Sequence, residues 1–419
     1  MLDGGREMDR EVTFIHAADL HLDSPFKGLM DMPAELFGEI KESTFQALHE
    51  LVRAAIENRV DFVLITGDLF DNEKQSLKAQ IRLKKAFEQL KEQEIEVFLS
   101  CGNHDFLNGN IHQVTYPDNV HLFPDEQVRA LDFYKNGEVL AKIYGFSYEN
   151  RAVMENKTSE YVIEDQATVP FHIAMLHGSI QGNEEHDTYA PFRLSELMEK
   201  DFSYWALGHI HKRAVLKEDP YIVYPGNIQG RHRKETGEKG CYLVQLTESQ
   251  TTLEFIPLNQ ILFVPLTVDV SECEAAYQLE TILTEKLKTM KTSKPQLIDL
   301  TLQANDSILR NWQTDGQLED ILEIINESFT TNPNWRYIFH VQLDIQEMFE
   351  LRETQDGEHF IGELQRTFDR NSGMEYLEQL YQHRQARKFL EPPTQEEISE
   401  WKETAQSSLF DQLLRGGRR

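Results

Sequence analysis

Five short polar motifs in this chain carry carboxylate, amide and imidazole side chains, which are groups that bind transition-metal ions. Each motif directly follows an apolar run that is typical of a β-strand. The motifs are Asp19-Leu20-His21, Gly67-Asp68, Gly102-Asn103-His104-Asp105, His177-Gly178 and Gly208-His209-Ile210-His211. The candidate ligands are Asp19, His21, Asp68, Asn103, His177, His209 and His211. If one carboxylate bridges, these ligands can hold two ions, and paired ions about 3.5–4 Å apart promote phosphoester displacement.

Taken one at a time, most of these motifs have an ordinary structural explanation. A D-x-H pair such as Asp19 and His21 is common by chance, and Asp68 alone would be interpreted as a loop carboxylate. Glycine and asparagine favour tight turns. The pair His209 and His211 is the strongest single motif, because alternation at a strand end places both imidazoles on one face. The ordered set is improbable by chance and therefore predicts a metal site.

The apolar runs before the motifs are continuous rather than alternating, which indicates strands buried on both faces. In sheets of such strands, ligands lie beyond the carboxyl ends, where all five motifs fall. The pattern predicts strands at 12–18, 60–66, 95–100, 171–176 and 204–207, and helices at 34–58 and 76–93. The part of the chain up to residue 258 is therefore predicted to be an α/β domain.

From residue 261 the pattern changes to that of a small separate α/β domain. The predicted elements are strands at 264–270, 297–302 and 335–345 and helices at 276–290 and 318–329. Ser271 and Glu274 have the spacing of a capping box for the first of these helices. The sequence thus predicts three domains, which are the site-bearing domain, the small α/β domain and a helical region, at residues 11–258, 259–347 and 348–419.

After residue 348 only helical patterns remain, and Pro392-Pro393 separates a last helix from the earlier ones. Thr394 and Glu397 are spaced to cap this helix. Its apolar stripe consists of Ile398, Trp401, Ala405, Leu409 and Leu413. The earlier stripes consist of Phe360, Ile361, Leu364 and Phe368, and of Leu377, Leu380 and Tyr381. These stripes either pack on the protein's own domains or form a docking face for a partner helix pair.

Length and charge restrict the classes of function open to the chain. Its 419 residues are 40% hydrophobic, enough for two or three domains with a substantial core. No apolar run approaches the roughly 18 residues that span a bilayer, and the polar start lacks a signal-peptide centre. The three cysteines Cys101, Cys241 and Cys273 are far apart, so no disulfide framework is predicted and a cytoplasmic location is expected. The formal net charge of −29 opposes binding to a polyanion unless metals, a local basic patch or a partner supply positive charge.

The ordered motifs resemble those of the calcineurin-like metallophosphoesterase family, whose series is D-x-H, G-D, G-N-H-D/E, H and G-H-x-H. The resemblance covers residues 12 to about 245 and implies an α/β fold, a four-layer α/β/β/α sandwich followed by a small α/β capping domain and a helical C-terminal tail. It implies two divalent metal ions, with Mn²⁺ expected first and Fe or Zn as alternatives, because imidazole and carboxylate donors suit these metals. One ion would be held by Asp19, His21, Asp68 and His211, and the other by Asp68, Asn103, His177 and His209. His104 would face the scissile phosphate and assist the leaving oxygen, with Asp105 orienting its ring.

The segment after the second motif indicates the branch of the family. Protein phosphatases of this fold carry an arginine in a G-D-x-V-D-R-G context, whereas this chain has Gly67-Asp68-Leu69-Phe70-Asp71-Asn72-Glu73. With residues 16–22, this segment is similar to the SbcD nuclease branch, and residues 14–26 and 224–227 are most similar to YhaO-type bacterial DNA repair exonucleases. The resemblance implies DNA as substrate and docking of the C-terminal helices on an SbcC-like coiled-coil ATPase. A homodimer stays open, and no membrane partner is expected.

The sequence therefore predicts a Mn-dependent phosphodiesterase that acts on DNA in repair, as an exonuclease or an endonuclease. A phosphodiesterase or phosphatase for a small nucleotide or other phosphoester is the enzymatic alternative, although such an enzyme has no need of about 150 further residues. A non-catalytic interaction subunit is a third hypothesis, which the intact ligand set opposes. The basic run Arg231-His232-Arg233-Lys234 either contacts phosphate or is a solvated loop. His16 is expected to be a core histidine, and His186 lies in a polar loop from which it could approach substrate.

Overall fold

The computed structural model describes residues 10–71, 75–109, 114–163, 168–182, 189–291, 293–305 and 308–345, together with isolated positions between 363 and 409. The chain divides into two compact units, Met1–Gln346 and Glu347–Arg419. Twelve strands of the first unit form two large sheets. Their bounds are β1 (Glu11–Ala17), β2 (Phe62–Thr66), β3 (Glu96–Ser100), β4 (Val120–Leu122), β5 (Arg129–Lys135), β6 (Glu138–Gly145), β7 (Phe171–His177), β8 (Tyr204–Gly208), β9 (Ala214–Glu218), β10 (Tyr221–Tyr224), β11 (Gly240–Thr247) and β12 (Thr251–Pro257).

Each large sheet has six strands and combines a parallel group with antiparallel neighbours. The order of the first sheet is β12-β11-β1-β2-β3-β4, in which β1 to β4 are parallel and β11 pairs antiparallel with both of its neighbours. The order of the second is β5-β6-β7-β8-β10-β9, in which β6, β7, β8 and β10 are parallel. The five polar motifs lie at the carboxyl ends of β1, β2, β3, β7 and β8, as predicted.

The two sheets pack face to face, and helices cover their outer faces. These helices are α1 (Ala34–Glu57), α2 (Leu77–Lys91) and α3 (Leu194–Met198), and a 3₁₀ turn lies at Thr158–Glu160. Between the sheets, Phe14 stacks on Phe62 with ring centroids 5.0 Å apart and meets Tyr204 of the second sheet edge-on at 5.3 Å. The next residue of β1, Ile15, enters a different core beneath α1 and α2. Alternate residues of one strand therefore fill two cores, which confirms the predicted four-layer sandwich.

A three-stranded parallel sheet with its own core completes the first unit. Its elements are β13 (Leu262–Asp269), α4 (Ala276–Thr289), β14 (Gln296–Ala304), α5 (Ile308–Thr314), α6 (Gln317–Phe329) and β15 (Arg336–Ile345). Leu283, Leu300 and Ile325 are buried together between this sheet and its helices. Trp335 links the sheet to the sandwich, because its indole Nε1 donates to Glu39 Oε2 of α1 at 2.8 Å. All these elements lie within Met1–Gln346, so the predicted boundary after residue 258 stays a prediction.

Two buried amide side chains tie the β12–β13 junction to the β10–β11 loop, which comprises residues 225–239. Gln229 Oε1 accepts the backbone N–H of Gln260 at 2.7 Å, and Gln229 Nε2 donates to the carbonyl of Ile261 at 3.0 Å. Asn259 Oδ1 accepts the backbone N–H of Lys239 at 3.1 Å. Because both amides are almost fully buried, breaking these bonds would leave polar atoms unpaired, and the loop and the junction hold each other in place.

One predicted helix cap was wrong, although the helix begins where the sequence predicted. Ser271 and Glu274 do not cap α4, which begins at Ala276. Instead, Gln278 Oε1 accepts the backbone N–H groups of Glu274 at 2.7 Å and Ala275 at 3.2 Å. The side chain of Gln278, in the first turn of α4, therefore satisfies free backbone amides at this helix end. The sequence spacing had assigned this capping role to Ser271.

In the second unit, the described positions of the predicted last helix are helical. Four of them, Ile398, Trp401, Ala405 and Leu409, belong to the predicted apolar stripe, and Trp401 is 44% exposed. Apart from Leu377, the other residues of the predicted apolar stripes lie outside the described residues, as do the predicted proline break and the predicted helix cap. Docking of this tail on a partner therefore stays a prediction. No helix in the described part of the chain is both long and apolar enough to cross a bilayer.

Candidate metal centre

The loops that follow β1 and β2 lie side by side and are joined by backbone hydrogen bonds. The N–H of Asp19 donates to the carbonyl of Gly67 at 3.2 Å, and the N–H of His21 donates to the carbonyl of Asp68 at 3.0 Å. Four predicted ligands have left-handed backbone, with φ of 53° at Asp19, 42° at His21, 51° at Asp68 and 95° at His209. Such conformations cost on the order of 1–3 kcal/mol each and cluster at functional sites. The left-handed backbone at these four predicted ligands therefore lowers the stability of the folded protein.

Close packing explains why glycines recur in the motifs. A Cβ atom on Gly102 would lie 2.3 Å from Asp68 Oδ1, and a Cβ atom on Gly208 would lie 2.0 Å from the carbonyl oxygen of Thr66. Non-bonded heavy atoms pack at roughly 3.5–4 Å, so any larger residue would push the two loops apart. The glycines thus allow the motif-bearing loops to converge.

The first group of ligands comprises Asp19, His21, Asp68 and His211, whose ligand atoms all lie within 4.8 Å of one another. The Nε2 atoms of His21 and His211 face each other at 2.9 Å. Two nitrogens that bind one ion at about 2.1 Å and at right angles are about 3 Å apart. The observed separation fits two ligands of a single ion.

The second group comprises Asn103, His177 and His209. Asn103 Oδ1 lies 3.0 Å from His177 Nε2 and 3.2 Å from His209 Nδ1. Asp68 connects the two groups, since its Oδ2 atom is 3.6 Å from His177 Nε2 and 3.7 Å from His21 Nε2. All seven predicted ligands therefore converge, and Asp68 lies between the two groups.

Hydrogen bonds at the far nitrogens fix the orientation of two of these imidazoles. His177 Nδ1 donates to the carbonyl oxygen of Thr66 at 3.0 Å, and His211 Nδ1 donates to Glu235 Oε1 at 2.6 Å. A carbonyl or carboxylate can only accept, so the hydrogen is on Nδ1, and the Nε2 lone pair of a neutral ring faces the centre. This pattern is usual for histidines that bind metals, and the donor set fits transition-metal ions.

Burial and mutual charge strongly perturb the proton affinities of these groups. Burial raises the pKa of Asp19. Burial would also raise the pKa of Asp68, but the nearby His177 and His104 lower it overall. Burial would lower the pKa of His211, yet the Glu235 carboxylate raises it to about 9. The centre thus concentrates charged groups out of water, where divalent cations would compensate the carboxylates.

His104 lies beside the first group without joining it. Its Nδ1 donates to the carbonyl oxygen of Asp71 at 2.8 Å, and its backbone N–H donates to Asp68 Oδ1 at 3.0 Å. Its ring meets the ring of His21 edge-on, with centroids 5.0 Å apart. The ring is therefore held at one nitrogen and keeps Nε2 for another partner.

The role predicted for Asp105 was wrong. Its carboxylate accepts the backbone N–H groups of Gly102 at 2.6 Å and Leu69 at 2.8 Å, while the His104 ring is hydrogen-bonded to Asp71. Burial and the neighbouring Asp68 raise the pKa of Asp105 to about 7. Because Asp105 is buried, its carboxylate satisfies amides of two motif loops, and the backbone of Asp71 orients His104 instead.

Two further sequence expectations have clear outcomes, and a third is not tested. His16 is a core histidine, as expected, and contacts the Tyr204 hydroxyl at 3.0 Å and the Leu207 carbonyl at 3.1 Å. Arg231 is not part of a solvated loop, because only 14% of its side chain is exposed and it pairs with Asp71. His186 lies outside the described residues.

Sequence reasoning missed two carboxylates, Asp71 and Glu235. Asp71 stands three residues after Asp68, and this spacing within the second motif was an available signal. Glu235 is 24 residues away from His211 in the sequence, and no local pattern connects the two. The structure therefore adds an outer layer to the centre that the motifs alone do not indicate.

Comparison with known proteins assigns the family. A family model described as calcineurin-like phosphoesterase matches residues 12–213. The chain is 42% identical over 407 residues to the uncharacterized metallophosphoesterase YhaO of Bacillus subtilis (strain 168), which covers 96% of this chain and 98% of the relative. It is 28% identical over 247 residues to the DNA double-strand break repair protein Mre11 of Methanocaldococcus jannaschii, covering 56% of this chain and 62% of the relative. It is 23% identical over 312 residues to the protein of the same name from Sulfolobus acidocaldarius, covering 71% and 76%.

The family match spans the five motifs and the residues that converge in the candidate metal centre. The similarity to the Bacillus relative continues through the smaller sheet and into the second unit. Since 42% identity extends over nearly the whole of both chains, this chain belongs to the calcineurin-like phosphoesterase family of metal-dependent hydrolases.

Proposed function

We propose that the protein is a phosphodiesterase that uses two divalent metal ions to cleave DNA, with Mn²⁺ as the metal expected first. The observation that carries this proposal is the position of Asp68 Oδ2, 3.6 Å from His177 Nε2 and 3.7 Å from His21 Nε2. Fe and Zn are the alternatives, because all three metals accept imidazole and carboxylate ligands. When bound, such ions would lower the pKa of an attacking water and offset charge on the phosphoryl oxygens.

In this mechanism the protein positions the phosphate and supplies a proton. His104 is held at Nδ1 by the carbonyl of Asp71, so its Nε2 is the atom that would protonate the leaving oxygen. The backbone N–H of His104 donates to Asp68 Oδ1, which couples the acid to the bridging carboxylate. A positioned acid contributes roughly 10²–10⁴-fold when the leaving group is poor, as the sugar oxygen of a nucleotide is.

Three observations support DNA as the substrate. Two relatives are named DNA double-strand break repair proteins. The segment after Asp68 lacks the arginine with which protein phosphatases of this fold bind a phosphomonoester. The chain also continues for about 160 residues beyond the sandwich, more than a small substrate requires. We propose in addition that the C-terminal helices dock on an SbcC-like coiled-coil ATPase in the cytoplasm.

A small phosphoester, such as a nucleotide, is the second candidate substrate. The net charge of −29 favours it, because an acidic surface repels a polyanion more strongly than a small substrate. A partner subunit would be needed to overcome this repulsion for DNA.

One experiment tests both candidates. The purified protein is offered bis-p-nitrophenyl phosphate, single-stranded DNA, duplex DNA and nucleotides, with Mn²⁺ or with excess chelator. We expect hydrolysis of the diester and of DNA with Mn²⁺ and none with chelator. Turnover of nucleotides alone would replace DNA by the small substrate. Undiminished turnover after exhaustive removal of metal would exclude the metal mechanism.

A further inference from the structure

Asp71 and Glu235 stand behind the two histidines of the first ligand group. Asp71 Oδ1 is 3.5 Å from His21 Nδ1, and Glu235 Oε1 is 2.6 Å from His211 Nδ1. Each imidazole therefore has a carboxylate at Nδ1 and turns Nε2 toward the other imidazole, 2.9 Å away. The contact of Asp71 is longer than a normal hydrogen bond, so another group must keep this carboxylate in place.

Arg231 contacts both carboxylates. Its guanidinium donates to Asp71 Oδ1, and its Nη2 atom lies 3.9 Å from Glu235 Oε1. The backbone N–H of Arg231 also donates to Glu235 Oε2 at 2.7 Å. The side chains of Arg231 and Asp71 are mostly buried, so solvent and salt screen this pair little. We call Asp71, Arg231 and Glu235 the Arg231 bridge.

The surroundings of Asp71 show why such a bridge matters. The ligand atoms of His21, Asp71 and His104 lie within 4.8 Å of one another, close enough to hold a cation at a position of their own. An ion bound there would take up the ring of His21, which the first group needs as a ligand, and the ring of His104, which is the proposed acid. A carboxylate bonded to a guanidinium has fewer free lone pairs and a compensated charge, and it competes less well for an ion.

We propose that Arg231 is a positioning residue of the metal centre. It keeps Asp71 and Glu235 at the Nδ1 atoms of His21 and His211, and it keeps Asp71 from becoming a ligand. The backbone of Asp71 also holds His104, so the same bridge aligns the proposed acid with the first group. This inference rests on the metal-dependent function proposed above and adds the residue that sets the ligand geometry.

The test measures metal binding directly. Full-length wild type and the variants Arg231→Ala, Arg231→Lys and Arg82→Ala are titrated with Mn²⁺ by calorimetry, and bound metal is counted by plasma emission. Arg82 is the matched control, because it also pairs with a carboxylate, Glu42, but on the surface of α2. We expect Mn²⁺ affinity to fall about 10–100-fold in Arg231→Ala, the usual effect of removing an outer partner of a metal ligand.

The rescue experiments separate positioning from simple structural support. Lysine keeps the charge but not the two-pronged geometry, so Arg231→Lys should recover part of the affinity. Methylguanidinium added to Arg231→Ala should recover part as well, and Arg82→Ala should bind Mn²⁺ as wild type does. If Arg231→Ala fails to fold, Asp71→Asn serves instead, because it preserves size while removing the charge that Arg231 compensates, and the same loss of affinity is expected.

Several results would overturn the proposal. These are unchanged Mn²⁺ affinity in Arg231→Ala or Asp71→Asn, a loss that neither lysine nor methylguanidinium restores, and an equal loss in Arg82→Ala. Unchanged affinity with a raised KM for bis-p-nitrophenyl phosphate would make Arg231 a substrate contact and would also reject positioning. A wild-type protein that binds no Mn²⁺ and hydrolyses no diester would instead reject the proposed function, so the two failures are distinguishable.

Discussion

The buried histidine between the sheets makes stability depend on pH in a way that can be calculated. Burial lowers the pKa of His16 from 6.5 to about 3. Since the folded-state pKa lies below the unfolded-state value, the folded protein stays neutral at this position while the unfolded chain takes up a proton. The protonation of His16 therefore has no effect on the folding free energy above pH 6.5. As the pH falls from 6.5 toward 3, folding free energy is lost progressively.

The size of the effect follows from the two pKa values. Each pH unit within this window costs about 1.4 kcal/mol, so lowering the pH from 7 to 5 removes roughly 2 kcal/mol of folding free energy. The substitution His16→Gln removes the titrating group, and glutamine can still donate to the Leu207 carbonyl that His16 Nε2 reaches at 3.1 Å. The variant will be less stable at pH 7 because of imperfect packing, but the difference from wild type should shrink by about 2 kcal/mol at pH 5.

Urea unfolding followed by tryptophan fluorescence at pH 7 and pH 5, with metal-free protein, measures this change. The substitution His49→Gln on the exposed face of α1 supplies a control for the loss of a histidine outside the core. The comparison between variants cancels the protonation of the metal-site histidines. If wild type and His16→Gln lose the same free energy between pH 7 and pH 5, the reasoning about a neutral buried His16 is wrong.

Three further predictions concern the metal centre and the tail. His104→Ala should retain its metal but lose most activity on DNA and less activity on p-nitrophenyl esters. Asp68→Ala should instead lose metal, as measured by plasma emission. Metal loss in both variants would exclude the acid role of His104. Because the pKa of metal-free His211 is raised to about 9, Mn²⁺ binding should displace a proton, and Mn²⁺ affinity should rise by up to about tenfold per pH unit from 7 to 9. Calorimetry in buffers of different ionisation enthalpy measures this proton release. Binding without proton release would contradict the prediction. Truncation after Glu391 should leave hydrolysis of a chromogenic diester intact while abolishing binding to the ATPase partner, and a truncated protein that still binds that partner would place docking elsewhere.

Local patterns were sufficient for the elements that present the site. The strands before the motifs were predicted within two residues of their observed bounds, because a continuous apolar run that ends in a polar motif marks a buried strand. The long helix α1 was predicted at 34–58 and observed at Ala34–Glu57. Its 3.6-residue apolar period is a strong signal in a helix of this length. The convergence of the seven predicted ligands followed from parallel strands in both large sheets, whose carboxyl ends meet at the same end of the sandwich.

Contacts between distant parts of the chain could not be predicted from one sequence. Strand β5 was not predicted, because its mostly exposed residues give a weak alternation. Arg231 and Asp71 are 160 residues apart, and only the fold brings them together. The direction of the Asp105 carboxylate was missed for a related reason, since it depends on which backbone amides are left unpaired at Leu69 and Gly102. Motifs thus identify the inner ligands, whereas outer partners depend on tertiary packing.

The β10–β11 loop gives the smaller sheet a mechanical connection to the candidate metal centre. One part of this loop is fastened by Gln229 to the junction that leads into β13, and another part carries Glu235, which holds His211. A displacement of the smaller sheet would reach the loop through these buried amides and alter the energy of ion binding. Thermodynamic reciprocity then requires that ion binding change the energy of that movement by the same amount. Ion occupancy of the metal centre and the position of the smaller sheet would thus be coupled, so that each changes the free energy of the other.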